Sequence, residues 1–313
     1  MPKLLIVSSD GPKYIEIFAK EAPELECKHF KADDPTVAEF VKEMDFLYAW
    51  YFPPELVKDA PKLRWISSTG AGVDNVMAAR DWLPQGVPVT RMVHVFDTAM
   101  AEYVLGHLLA VQLDIRRTER QQAAKIWKGF RPPQLRGSTA VVVGLGSIGS
   151  EVARTLKAHG LNVIGVSRSG APVDGVEEVH TIDNLDAVLP RAEYLILVVP
   201  LTAETRGMID ARRLAMLPQG AVLVNICRGA VVVQDDLIAT LQSGGLRAAV
   251  LDVFEKEPLP QDSPFWEMEN VIVTPHMSGP DDTPINAARF LENYRRLQAG
   301  EPLAGQVEFT RGY

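Results

Sequence analysis

The sequence predicts an α/β protein with two doubly wound parallel sheets, one after the other. Three observations carry that reading. Short, nearly continuous apolar runs recur along the chain, and amphipathic stretches separate them. Strands apolar on both faces with helices between them describe a parallel sheet covered on both sides. The rhythm breaks once, between Asp97 and Trp127, and then resumes.

In the first series, Leu4–Val7, Leu25–Phe30, Phe46–Trp50, Leu63–Ser67 and Val87–Thr90 read as strands. Tyr14–Lys20, Val37–Glu43 and Glu55–Lys58 read as helices, and Pro12, Pro35, Pro53, Pro54 and Pro61 stand at element edges, where proline is tolerated. The break itself holds Ala101, Val104, Leu105, Leu108 and Leu109 at helical spacing, then turns charged at Arg116, Arg117, Glu119 and Arg120. One long helix linking two domains is the expectation for this stretch, with a boundary near Phe96. In the second series, Ala140–Val143, Asn162–Val166, Tyr194–Val199, Ala221–Ile226, Ala248–Val253 and Val271–Thr274 read as strands. Ile148–His159, Asn184–Leu189, Ala211–Leu217 and Asp235–Gln242 read as helices, with one more from Pro284 to Gln298.

Length and composition agree. At roughly 150 residues per domain, 313 residues suggest two domains with a substantial core. Apolar residues make up 47% and charged residues 23%, which excludes whole-chain disorder, collagen and coiled coil. The net charge is −8, which argues against nucleic acid or an anionic membrane as the main partner, while leaving room for a local basic pocket. Two cysteines, Cys27 and Cys227, are too few for a disulfide framework and fit a reducing cytoplasm. The opening Met1-Pro2-Lys3 runs straight into Leu4–Val7, too short for a signal segment. The longest apolar run, Leu195 to Leu201, is interrupted by Pro200 and falls far below the roughly 20 residues that span a bilayer. A soluble, unanchored protein is expected.

Gly144-Leu145-Gly146-Ser147-Ile148-Gly149 is a G-x-G-x-x-G set directly after a strand and opening a helix. In that context the glycines permit a tight turn, a close approach of backbone to a pyrophosphate, and close helix–strand packing; the helix N-terminus then favours the negative charge. The next strand ends in Ser167-Arg168-Ser169, where an acidic residue would accept the ribose 2′-OH. A cation flanked by hydroxyls suits a 2′-phosphate instead, so NADP(H) is expected over NAD(H), which remains possible. The alternative for Arg168 is a solvated loop arginine.

Arg228, Glu257 and His276 each follow an apolar strand of the second series. Carboxyl ends of parallel strands are where such sheets bind ligands. An arginine fork binds the carboxylate and polarises the carbonyl of a 2-oxo acid. A histidine delivers a proton to that carbonyl oxygen, and a glutamate beside it favours the protonated imidazole and orients it. Taken singly, each residue is more simply a surface or ion-pair group; the joint placement downstream of the glycine loop favours function.

These stretches, with Asn225–Gly229, Leu251–Pro260 and Thr274-Pro275-His276, resemble the D-isomer-specific 2-hydroxyacid dehydrogenase family, and within it most of all glyoxylate/hydroxypyruvate reductases. Ser68–Asp74 resembles that family's substrate loop, and Ala101-Glu102-Tyr103 fits as well. The resemblance covers nearly the whole chain. It implies a Rossmann nucleotide domain, residues 97–280, inserted in a flavodoxin-like substrate domain made of residues 1–96 and 281–313. It implies Arg228, Glu257 and His276 as the catalytic triad, and main-chain amides at Ala71, Gly72 and Val73 for the substrate carboxylate. It implies cofactor contacts from Gly144, Gly146, Ser147, Ile148, Ser167, Arg168, Ser169, Pro200, Thr205, Ile226, Cys227, Asp252, Ser278 and Gly279, with Asp252 on the nicotinamide carboxamide and no metal. It implies a homodimer joined through the nucleotide domain and a cleft that closes around a small 2-oxo or 2-hydroxy acid. Trp50 and Arg91 either face the substrate or are core edge and surface charge. Alternatives within the fold are an NAD-dependent relative acting on another 2-hydroxy acid and a cofactor-sensing corepressor.

Overall fold

The computed structural model describes residues 1–31 and 34–310. The chain divides into two compact units, Met1–Val95 with Asp281–Tyr313, and Phe96–Pro280. Arg311–Tyr313, the end of the segment expected in the first domain, lie outside the described residues.

The first unit is a five-stranded parallel sheet of β1 (Lys3–Val7), β2 (Glu26–His29), β3 (Phe46–Ala49), β4 (Trp65–Ser67) and β5 (Val89–Thr90), in the order 2-1-3-4-5. That is the flavodoxin-like order. One face is aromatic. Helices Gly11–Glu21 and Thr283–Ala299 bring Tyr14, Phe18, Phe290 and Tyr294 onto Phe46, Tyr48 and Trp65, all buried. Trp65 and Phe290 stack with ring centroids 4.8 Å apart. The C-terminal helix is thus part of the first unit's core. It starts where the Asp282 side chain accepts the N–H of Ile285, with Pro284 in its first turn, and it ends at Gly300, φ +70°. The other face packs Val37, Phe40 and Val41 of helix Val37–Glu43 with Met44, Phe52 and Val57.

The second unit is a seven-stranded parallel sheet of β6 (Thr139–Val143), β7 (Asn162–Ser167), β8 (Glu178–Thr181), β9 (Tyr194–Leu197), β10 (Ala221–Asn225), β11 (Leu246–Leu251) and β12 (Val271–Val273). Its order, β8-β7-β6-β9-β10-β11-β12, is the Rossmann order extended by one strand. The central strands are buried almost throughout, which explains their unbroken apolar sequences.

Two expectations need correction. The stretch from Asp97 is two helices, Asp97–Gln112 and Ile115–Ala123. Asp114 stands between them in the left-handed conformation, φ 49°, which aspartate tolerates better than most residues. The first helix packs on helix Ser147–Ala158 through a buried face that includes Val104 and Leu108, whereas the second buries none of its residues. Both belong to the second unit, as does Phe96, whose ring lies against Gly279. The second correction is β8, which apolar pattern did not reveal. It is an edge strand, half-buried at all four positions, held by Arg191 on Glu178 at 2.6 and 2.8 Å. Among the described residues no helix is long and apolar enough to cross a membrane.

Candidate active site

Strand register brings the sequence motifs of the second unit to one rim. Val166, Val143, Leu197, Asn225, Leu251 and Val273 are successive register partners across six strands. The loops holding Ser167–Ser169, Gly144–Gly149, Pro200–Thr205, Ile226–Arg228, Asp252–Glu257 and Thr274–Gly279 therefore all leave the same edge.

His276 Nδ1 lies 2.8 Å from Glu257 Oε2, and the N–H of Phe254 donates to Glu257 Oε1 at 2.9 Å. Burial pushes the Glu257 carboxyl upward, but the His276 and Phe254 hydrogen bonds and the charges of His276 and Arg228 outweigh it and hold the group below its ordinary value. An ionised carboxylate only accepts, so Nδ1 carries the hydrogen and Nε2 is left for proton exchange. The imidazole is 40% exposed, within reach of a ligand. Arg228, half-buried, donates from its guanidinium to the Cys227 carbonyl at 2.6 Å.

Asn225 shapes the loop that bears Arg228. Its Oδ1 accepts from the N–H and Sγ of Cys227, and its Nδ2 donates to the Arg228 carbonyl. Burial pushes the Cys227 thiol up to about 11, which makes it a packing group. A Cβ placed on Gly229 would come within 1.9 Å of the Phe254 carbonyl carbon and 2.2 Å of the Glu255 nitrogen. Only glycine lets the arginine loop pass this close to the segment leading to Glu257.

Asp252 is fully buried. Its Oδ1 accepts from Thr274 Oγ1 at 2.6 Å and from the N–H of Met277 at 2.8 Å; its Oδ2 accepts from the N–H of Ser278 at 2.9 Å. Its carbonyl accepts the His276 N–H at 2.9 Å. His276 itself stands at φ 50°, left-handed for a bulky residue.

The glycine loop fits a dinucleotide. Gly144 has φ +103°, and a Cβ there would meet the Val198 carbonyl oxygen at 2.3 Å. A Cβ on Gly149 would fall 1.8 Å from the Gly144 oxygen. A Cβ on Gly146 meets nothing within 4 Å, so the space above the first turn of helix Ser147–Ala158 is open where N–H groups await an anion. Ser167 is half-buried, with Arg168 and Ser169 exposed beside it; the two serine hydroxyls accept from Gly170 and Ala171. Thr205 Oγ1 donates to the Pro200 carbonyl at 2.7 Å and accepts from the Thr202 N–H, folding that loop on itself. Ile226 and Ser278 are buried.

In the first unit, Tyr48, Ser67 and Thr90 are register partners, so Trp50, Ser68–Asp74 and Arg91 also leave one edge. Gly70 lies against the Trp50 ring, 1.8 Å from Cζ3 to where a Cβ would stand. Arg91 donates to the Ala71 carbonyl at 3.5 Å. Ala71 and Gly72 are half-buried and Val73 is buried.

Sequence reasoning missed Asn225 and Thr274 as site residues. Both are strand-end polar residues whose value lies in what they hold, and no motif marks that.

The family described as D-isomer specific 2-hydroxyacid dehydrogenase, NAD binding domain, matches residues 105–278. Glyoxylate/hydroxypyruvate reductase A of Klebsiella pneumoniae (strain 342) is 34% identical over 313 residues, 97% of each chain. A D-isomer specific 2-hydroxyacid dehydrogenase from Xanthobacter autotrophicus Py2, solved with NADPH and MES, is 36% identical with a TM-score of 0.90, covering 100% of this chain and 99% of its own. An NADPH-dependent glyoxylate/hydroxypyruvate reductase from Sinorhizobium meliloti, solved with NADP and sulfate, is 33% identical with a TM-score of 0.92, covering all of both chains.

Proposed function

Because this chain belongs to the D-isomer specific 2-hydroxyacid dehydrogenase family, we propose that it reduces a small 2-oxo acid of the glyoxylate or hydroxypyruvate type with NADPH. The product is the 2-hydroxy acid, of D configuration where a stereocentre forms. The observation that carries this reading is the ionised Glu257 on Nδ1 of His276, on the same rim as the open glycine loop.

When bound, the reduced nicotinamide supplies hydride to the carbonyl carbon. Gly144, Gly146, Ser147 and Ile148 receive the pyrophosphate, and Ser167, Arg168 and Ser169 receive the 2′-phosphate. Arg228 binds the substrate and polarises its carbonyl. His276 Nε2 delivers the proton to the carbonyl oxygen. Glu257 stabilises the imidazolium and holds the ring by Nδ1. Pro200, Thr205, Ile226, Cys227, Ser278 and Gly279 line the cofactor groove.

The protein works as a homodimer in the cytoplasm. Leu109, Leu113, Ile115, Ile126 and Trp127, large apolar residues of the second unit, are exposed, and Trp127 fully so. Cys27 and Cys227 are both free thiols, as a reducing compartment keeps them. The net charge of −8 argues against nucleic acid or an anionic membrane as the main partner and leaves room for a local pocket that takes a small anion.

Purified protein given NADPH and either glyoxylate or hydroxypyruvate is expected to oxidise the cofactor. His276→Gln should lower kcat by about a thousandfold with NADPH binding retained. NADPH binding with no turnover across a panel of 2-oxo acids would favour a cofactor-sensing protein instead.

A further inference from the structure

The left-handed backbone of His276 needs a physical cause, since side-chain crowding disfavours φ near 50° for histidine. The cause is a spool. The N–H groups of His276, Met277 and Ser278, three in succession, all reach Asp252: the first its carbonyl, an N–H shared with the Thr274 carbonyl at 3.1 Å, and the other two its carboxylate. The carboxylate can hold them only if its own orientation is fixed. Thr274 fixes it, through a 2.6 Å bond to Oδ1. The Thr274 oxygen is in turn 2.6 Å from the phenolic oxygen of Tyr103 on helix Asp97–Gln112. Thr274 has one hydroxyl hydrogen, and the carboxylate takes it, so the phenol must be the donor in that second contact. The direction of the chain is therefore Tyr103 O–H to Thr274 O–H to Asp252 carboxylate. Burial raises the Tyr103 phenol above its ordinary value, as does the Asp252 charge, against the opposing effect of the Thr274 bond; the phenol keeps its hydrogen. Hydrogen bonds in such a chain polarise one another towards the charge at its end.

We propose that Tyr103 is a positioning residue for proton delivery, its phenolic O–H acting through Thr274 to lock the Asp252 carboxylate that holds His276 in its left-handed conformation. This rests on the reductase reading for its kinetic consequence, though not for its structural one. Asp252 thereby acts on the histidine as well as on the nicotinamide assigned to it. Tyr103 touches neither substrate nor reacting atoms. It supplies the outermost donor of a relay that starts on a helix and ends at the histidine's own peptide.

Four variants test it: Tyr103→Phe, Thr274→Val, Thr274→Ser, and Tyr103→Phe combined with Thr274→Val. Amide hydrogen exchange in the 276–278 segment is expected to quicken about tenfold in Tyr103→Phe, with exchange in helix Ser147–Ala158 unchanged. In the same variant kcat should fall about tenfold while KM for NADPH stays within about twofold and NADPH binds one per chain. Thr274→Ser should restore nearly native values. Adding Tyr103→Phe to Thr274→Val should change nothing further, because the relay is already cut. Native exchange in the 276–278 segment of Tyr103→Phe overturns the proposal, as do independent, multiplying effects of the two substitutions. A wild-type protein without turnover refutes the reductase reading alone, and the exchange experiment still decides the relay.

Discussion

Glu257 and His276 meet at 2.8 Å from loops that follow different strands, and the glutamate's second oxygen is tied to the Phe254 N–H. The carboxylate is thus fixed by its own loop before it orients the imidazole. Glu257→Gln keeps the shape and removes the charge. The imidazole loses the charged partner that orients it through Nδ1, and kcat is expected to fall about tenfold to a hundredfold. A native kcat would separate the glutamate from the proton transfer.

Gly229 lies in van der Waals contact with the backbone of Phe254 and Glu255, so a methyl group there must displace main chain rather than a side-chain tip. Gly229→Ala is expected to lower kcat about a hundredfold, because the loops of Arg228 and Glu257 are pushed apart, and to lower Tm by several degrees. Steady-state kinetics beside a thermal melt checks both.

Arg168 is exposed just past β7, one residue beyond the half-buried Ser167. Arg168→Ala should lower the ratio of NADPH to NADH efficiency about tenfold or more, as expected for a lost charge-assisted contact to phosphate. Competition between the two cofactors in one assay measures the ratio, and an unchanged ratio refutes the assignment.

Glu178 has its carboxyl held down to about 2, by the Arg191 hydrogen bonds first and His180 second. A depressed folded value means the stability it adds is present above its ordinary 4.5 and is lost as pH falls from there towards about 2. The pair is more than a third exposed, so screening keeps the effect below about 1 kcal/mol. Glu178→Gln should therefore flatten the acid side of a Tm-against-pH curve slightly and leave it unchanged near neutrality.

Much of this was legible in the chain. Leu4–Val7 and Ala140–Val143 announce themselves as buried strands because both faces are covered, so every position is apolar. Gly144–Gly149 is legible because backbone geometry admits so few alternatives to glycine there. The edge strand Glu178–Thr181 was not, since a half-buried edge can be polar at every position. Nor was the break at Asp114, where no glycine or proline stands and a single backbone rotation ends the helix.

The sequence by itself determined the two-sheet α/β architecture, the glycine loop and the identity of three chemically matched groups after three strands. Those follow from local rules of burial period, turn sterics and side-chain chemistry. Only the tertiary structure decided that His276 Nδ1 rests on Glu257, that Asn225 clamps the arginine loop, and that Tyr103 reaches Asp252 through Thr274. Hydrogen bonds across loops from separate strands depend on register and on the path of each loop. Those are properties of the packed sheet, and no stretch of the chain carries them alone.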